Sequence, residues 1–122
     1  MIAGQMSTVA FKVVNSHGAP LDVQGDIVDS KGNVVTGFKT FHDGMGEFNI
    51  NPQPSERYQA VCNYSGRTLK FNLPEAQTNT FSLKTTVRDN RLLATVNKNP
   101  SVSLPKLYLM IHSGGSVYLK KF

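Results

Sequence analysis

The residues of this 122-residue chain able to do chemistry are one cysteine, Cys62, three histidines, His17, His42 and His112, and eight carboxylates. A reactive thiol needs a cation, a base or a helix N-terminus to lower its pKa. Cys62 instead shares an alternating phase with Tyr58, Ala60 and Tyr64, which predicts an inert core position on a strand. A single cysteine also rules out an internal disulfide and a four-cysteine zinc site. The histidines are far apart and none belongs to an i, i+2 or i, i+4 pair, so zinc ligation is not expected and turn or surface roles are. Asp43-Gly44-Met45-Gly46 invites a calcium reading, yet it offers one carboxylate where a dedicated loop supplies several. Turn chemistry accounts for it better.

Acid–base catalysis fares no better. Asp26 and Asp29 fall on opposite faces of one strand, and Glu47, Glu56 and Glu75 have no recognisable partner. Serines are plentiful, but none lies in a Gly-x-Ser-x-Gly elbow or a Ser-x-x-Lys context. The expectation is a protein that is not an enzyme, with no catalytic, cofactor or metal residues. Its binding residues are unassigned beyond exposed aromatics such as Tyr64 and Tyr118.

The elements that would position these groups are strands. From Leu21 to Pro74 short apolar-alternating runs are split by Gly- and Asp-bearing turns, the pattern of an all-β sandwich built from hairpins. The spacing predicts strands over 7–15, 23–29, 34–41, 47–51, 58–64 and 67–73. Asp29-Ser30-Lys31-Gly32-Asn33 reads as a hairpin turn with Gly32 in the left-handed region. In the third strand a bulge near Gly37 is expected, to bring Phe38 and Phe41 both inward. Residues 74–79 are polar, proline-led and aperiodic, as a linker is. The pattern then restarts, with strands expected over 80–87, 91–96, 107–112 and 116–119. Four strands are too few for an independent sandwich. They either dock on the first unit or begin a further one, so the expected division is 1–75 and 76–122.

Apolar residues make up 39% and charged residues 17% of the chain, which excludes a disordered polymer and suits a β-rich module. No window approaches the run of about 18 apolar residues that a membrane helix requires. Met1 to Met6 lack the basic and apolar regions of a secretion signal, and a strand starts almost at once, so an excised piece of a longer polypeptide is expected. The net charge of +5 raises the question of nucleic acid. The thirteen Lys and Arg run from Lys12 to Lys121, mostly on polar phases, with Lys120-Lys121 the only dense stretch. Solvated faces explain them, and no nucleic-acid partner is expected.

Several separated motifs carry a resemblance: Val9-Ala10-Phe11-Lys12-Val13-Val14, the run from Val23 to Val35, His42-Asp43-Gly44-Met45-Gly46-Glu47-Phe48, and Tyr58-Gln59-Ala60. Over about residues 1–75 the chain resembles the macroglobulin-like (MG2-type) β-sandwich domains of large bacterial cell-envelope proteins, related in plan to the alpha-2-macroglobulin family. Residues 76–122 resemble the opening strands of a following domain. The resemblance implies an immunoglobulin-like antiparallel sandwich serving as a non-catalytic structural or interaction module, extracytoplasmic (periplasmic or associated with the outer membrane) and without direct membrane insertion. It also implies neighbouring domains of a parent protein, or another envelope protein, as partners. The family's chemistry belongs to a separate thioester domain with Cys-Gly-Glu-Gln, whereas here Cys62 is followed by Asn63-Tyr64-Ser65, so that activity does not carry over. A protein- or glycan-binding adhesion module is the alternative. Unpaired strand edges in 76–122 add an expectation of self-association.

Overall fold

The computed structural model describes residues 1–100, 102–103 and 106–121, and among these there are ten strands and no helix. They are β1 (Ser7–Lys12), β2 (Gln24–Val28), β3 (Val34–His42), β4 (Met45–Ile50), β5 (Gln59–Tyr64), β6 (Arg67–Asn72), β7 (Phe81–Arg88), β8 (Arg91–Lys98), β9 (Tyr108–Ser113) and β10 (Ser116–Lys121). The first six form one antiparallel sheet in the order β1-β4-β3-β2-β5-β6, and β7-β8 and β9-β10 are separate two-stranded ribbons. The protein is therefore all-β and antiparallel.

Local chemistry explains the hairpins. Asp43-Gly44, Ser65-Gly66, Asp89-Asn90 and Gly114-Gly115 each place two consecutive residues at positive φ between paired strands, the two-residue connection whose twist matches that of the strands. The β2–β3 turn is longer and is built on Asp29. Its Oδ1 accepts from the backbone N–H groups of Lys31 at 2.9 Å and Asn33 at 2.8 Å, and Gly32 takes φ +84°, as expected.

Strand β3 makes the sheet two-layered. Its first half pairs with β2, from Val34 opposite Val28 to Lys39 opposite Gln24. Its end pairs with β4 through Thr40 opposite Gly46 and His42 opposite Met45. One strand thus serves both halves, and the sheet folds over it in a sandwich-like arrangement. Val23, Ile27, Phe38, Phe48, Ile50, Tyr58 and Cys62 meet in the interior. Phe11 approaches Phe38 edge to face at 5.2 Å between ring centroids. At the crossover, Thr40 is the buried polar side chain; its Oγ1 accepts from Val23 N–H at 3.0 Å and lies 3.2 Å from the Val23 carbonyl, so no polar atom is stranded there.

The bulge expected near Gly37, to turn Phe38 and Phe41 both inward, needs correction in position and effect: Gly37 itself stays in register opposite Asp26. Register shifts flank it instead, making Val35 the extra residue against Ile27/Val28 and Phe41 the extra residue against Gly46/Met45. Thr36, Phe38 and Thr40 keep a regular inward phase, while Phe41 is turned out and 72% exposed. The change of partner at Thr40 forces the irregularity there, and nothing in the local alternation announces it.

The stretch 74–79 is held rather than loose. Ile2 and Gln77 form a parallel bridge, with Ala3 N–H donating to Gln77 O at 3.0 Å and Gln77 N–H to Met1 O at 2.9 Å. Gly4 N–H donates to Pro52 O at 2.7 Å, and Gln5 Nε2 reaches Lys98 O at 2.9 Å. Ile2, Ala3 and Val102 are buried outside the main core cluster. The N-terminal five residues therefore join the two segments, a use that a non-periodic stretch does not advertise.

Candidate functional site

The residues with chemical potential lie on separate elements and are committed to structure. Cys62 sits on β5 with its side chain in the core, and burial pushes its thiol pKa up, the opposite of what a nucleophile needs. His17 is in the turn after β1, His42 ends β3 and His112 lies on β9. His42 Nε2 is 3.0 Å from the neighbouring Asp43 carboxylate, both groups largely solvated. Among the described residues no three His, Cys, Asp or Glu side chains gather in a way that could hold a metal ion.

The carboxylates act mainly as turn and loop braces. Asp29 is held below its ordinary pKa by the Asn33 side chain first, then by the Asn33 and Lys31 backbone amides. Glu56 is likewise lowered, through Ser30 and the Arg57 amide, with contacts at 3.3 and 2.8 Å. Glu75 meets Arg57 at 3.3 Å. Asp26 and Glu47 face outward on β2 and β4. They border a shallow groove of about 560 Å³ over Gly37, beside Phe41 and Lys39.

The feature that stands apart is residues 81–121. In the β7–β8 ribbon, Phe81, Leu83, Val87, Leu92, Ala94 and Val96 share one face by register, and Val87 is 75% exposed there. The opposite face carries Ser82, Lys84, Thr86, Arg88, Arg91, Thr95 and Asn97, with Leu93 its one apolar member. In β9–β10, Tyr108, Met110, Val117 and Leu119 share one face and Leu109, Ile111 and Tyr118 the other. Tyr108, Met110, Val117, Tyr118 and Leu119 are all exposed. Two apolar faces on one ribbon suit a strand pair covered on both sides. Monomeric proteins rarely leave apolar patches beyond a few hundred Å² uncovered. Tyr118 is exposed as expected; Tyr64, at the end of β5, is exposed too.

Charge divides along the same line. Residues 1–75 hold six Lys or Arg and seven carboxylates, net −1, whereas 76–122 hold seven cations and only Asp89, net +6. Reading the cations as evenly scattered misses this, although counting by segment finds it. Comparison with protein-family models, with curated proteins and with solved structures yields no match to this chain.

Proposed function

We propose that the chain is a non-catalytic structural and interaction module of macroglobulin-like (MG2) type, belonging to a larger extracytoplasmic multidomain bacterial protein. One observation carries the reading: strands β1–β6 enclose a core of their own, while β7–β10 leave strand-spaced apolar side chains such as Leu83, Val87, Met110 and Leu119 exposed. A catalyst would need convergent polar groups in a cleft. Here the strongest physical demand is for surface to be covered, which is what a link in an array of β domains supplies to its neighbours.

Peptide-resolved hydrogen exchange on the intact chain tests this. Slow exchange through β1–β6 with fast exchange through β7–β10 is expected. Equal protection of both would mean that the ribbons are already covered, and the module reading would fall. An antibody raised against the chain should detect a larger polypeptide in the cell-envelope fraction; detection in the cytosol would remove the extracytoplasmic assignment.

A further inference from the structure

Six strands have an edge with no paired neighbour among the described residues: β1 and β6 at the ends of the main sheet, and the four strands of the two ribbons. Their charged side chains are Lys12 on β1, Arg67 and Lys70 on β6, Lys84 and Arg88 on β7, Arg91 and Lys98 on β8, and Lys120 and Lys121 on β10. Nine of the thirteen cations are there, and none of the eight carboxylates. The carboxylates occupy turns, loops and the interior strands β2 and β4.

Such sorting bears directly on what can add to an edge. An added strand donates and accepts backbone hydrogen bonds and lays its side chains beside those of the edge strand, face for face. Along β7 the two faces read Phe81, Leu83, Thr85, Val87 and Ser82, Lys84, Thr86, Arg88. The strand that fits alternates apolar residues with carboxylates. A second copy of this chain has no such strand to offer among its own edges, because each charged one is basic, and like charges placed opposite one another destabilise the pair. Nucleic acid would match the charge but neither the free backbone groups nor the period-two apolar face.

The geometry points to an acidic amphipathic β-strand, supplied by a different polypeptide segment, as the occupant of the β7 edge, with Lys84 and Arg88 selecting it. This rests on the module reading and names the partner's chemistry. At β7 it replaces self-association as the favoured use of the edge: the Lys84 and Arg88 that discourage β7 from pairing with its own copy are the ones that choose its partner.

The test uses the full chain with two synthetic peptides matched to β7 in length, one alternating valine with glutamate and one alternating valine with lysine. The glutamate peptide should bind and slow exchange in β7–β10. It should do so at least about tenfold more tightly than the lysine peptide at about 50 mM salt, with the preference shrinking at about 500 mM. A K84E/R88E variant should lose the preference while keeping the β1–β6 protection pattern. Binding of neither peptide would reduce the edge cations to a guard against aggregation and overturn the inference. So would equal binding of both, displacement by a short DNA duplex, or dimerisation of the free chain at the lower salt. Exchange of the chain alone separates the two failures: slow exchange throughout β7–β10 defeats the module reading, whereas fast exchange without peptide preference defeats only the choice of occupant.

Discussion

Replacing Ile27 by alanine and, separately, Leu83 by alanine contrasts the two segments directly. Ile27 is fully buried on β2 and is flanked by Thr36 on β3 and Ala60 on β5. The change deletes about three methylene-sized groups, worth roughly 2.4 kcal/mol of transfer free energy at about 0.8 each. Strands paired on both sides prevent the backbone from collapsing into the space, so a cavity term adds to this and the total reaches about 4 kcal/mol. For a domain stable by roughly 5–10 kcal/mol, and a urea dependence near 1 kcal/mol/M, the midpoint should fall by about 3–4 M. Leu83 lies on the uncovered face of β7, 55% exposed, and its truncation should change the same transition by less than about 0.5 kcal/mol.

The chain has no tryptophan, and Tyr58 is buried in the core with its hydroxyl accepting from Gln53 N–H at 2.9 Å. Tyrosine fluorescence during urea unfolding, checked by circular dichroism, therefore reports on this core. A loss below about 1 kcal/mol for Ile27→Ala would show that the interior is not organised around β2. A loss above about 2 kcal/mol for Leu83→Ala would show that the β7–β8 face is covered in solution. Either result refutes the division between a closed and an open segment.

Tyr58→Phe removes the bond to Gln53 while keeping the ring, and should cost about 1 kcal/mol in the same urea experiment. Gly25→Ala would place a methyl group on the Val61 carbonyl oxygen and 2.9 Å from both Cys62 Cβ and the Phe38 ring; a loss of at least about 2 kcal/mol is expected, since backbone atoms must yield. Asp29 and Glu56 both have lowered pKa values in the fold, so their stabilisation is present above the ordinary carboxylate value of about 4 and is lost as pH falls below it. Asp29→Ala should accordingly make the acid limb of the stability profile shallower, and an unchanged limb would show that the turn carboxylate does not contribute. Cys62 should react with a thiol reagent only as fast as the domain opens, because the native thiol is buried and its pKa raised; labelling at the rate of a free thiol would contradict the core assignment.

All ten strands were legible because alternation and two-residue turns are local signals. Their limits were less so. The first run was expected to continue to Asn15, but β1 ends at Lys12. Asn15 is taken up by the next turn, where its Oδ1 accepts from His17 and Ala19 N–H, both at 2.9 Å. Phe41 was expected inside by way of a bulge near Gly37; its place was decided by β3 changing partners at Thr40, a relation between residues distant in sequence. The bracing of Gln77 by Met1 and Ala3 was invisible for the same reason, since neither stretch is periodic. On the chemical side, the roles of Cys62 and Asp29 follow from phase and turn position, whereas Glu56, expected to have no partner, is reached by Ser30 N–H from a turn distant in sequence. The sorting of charge onto edges could not be read until the strand order separated interior strands from outer ones.

That sorting also bears on how tightly a partner strand can bind. A segment that folds only on binding loses affinity to the entropy of ordering it. The β7–β8 ribbon avoids part of that loss, because eight residue pairs are in register about the Asp89-Asn90 turn, whose residues already hold positive φ. It is still a two-stranded ribbon, and such a ribbon is marginal alone in water. The anchor through Gln5 to Lys98, together with Asn99 N–H donating to Thr80 O at 3.4 Å, holds the open end of the hairpin near the N-terminal segment. The proposed partner would then add a third strand to a frame whose register is set at both ends, so its binding energy would go into edge hydrogen bonds and side-by-side packing against Phe81, Leu83 and Val87 rather than into forming the hairpin. Gln5→Ala should therefore weaken the glutamate peptide while leaving the Ile27 core unchanged, and a peptide affinity indifferent to that substitution would show that the ribbon is set by its turn alone.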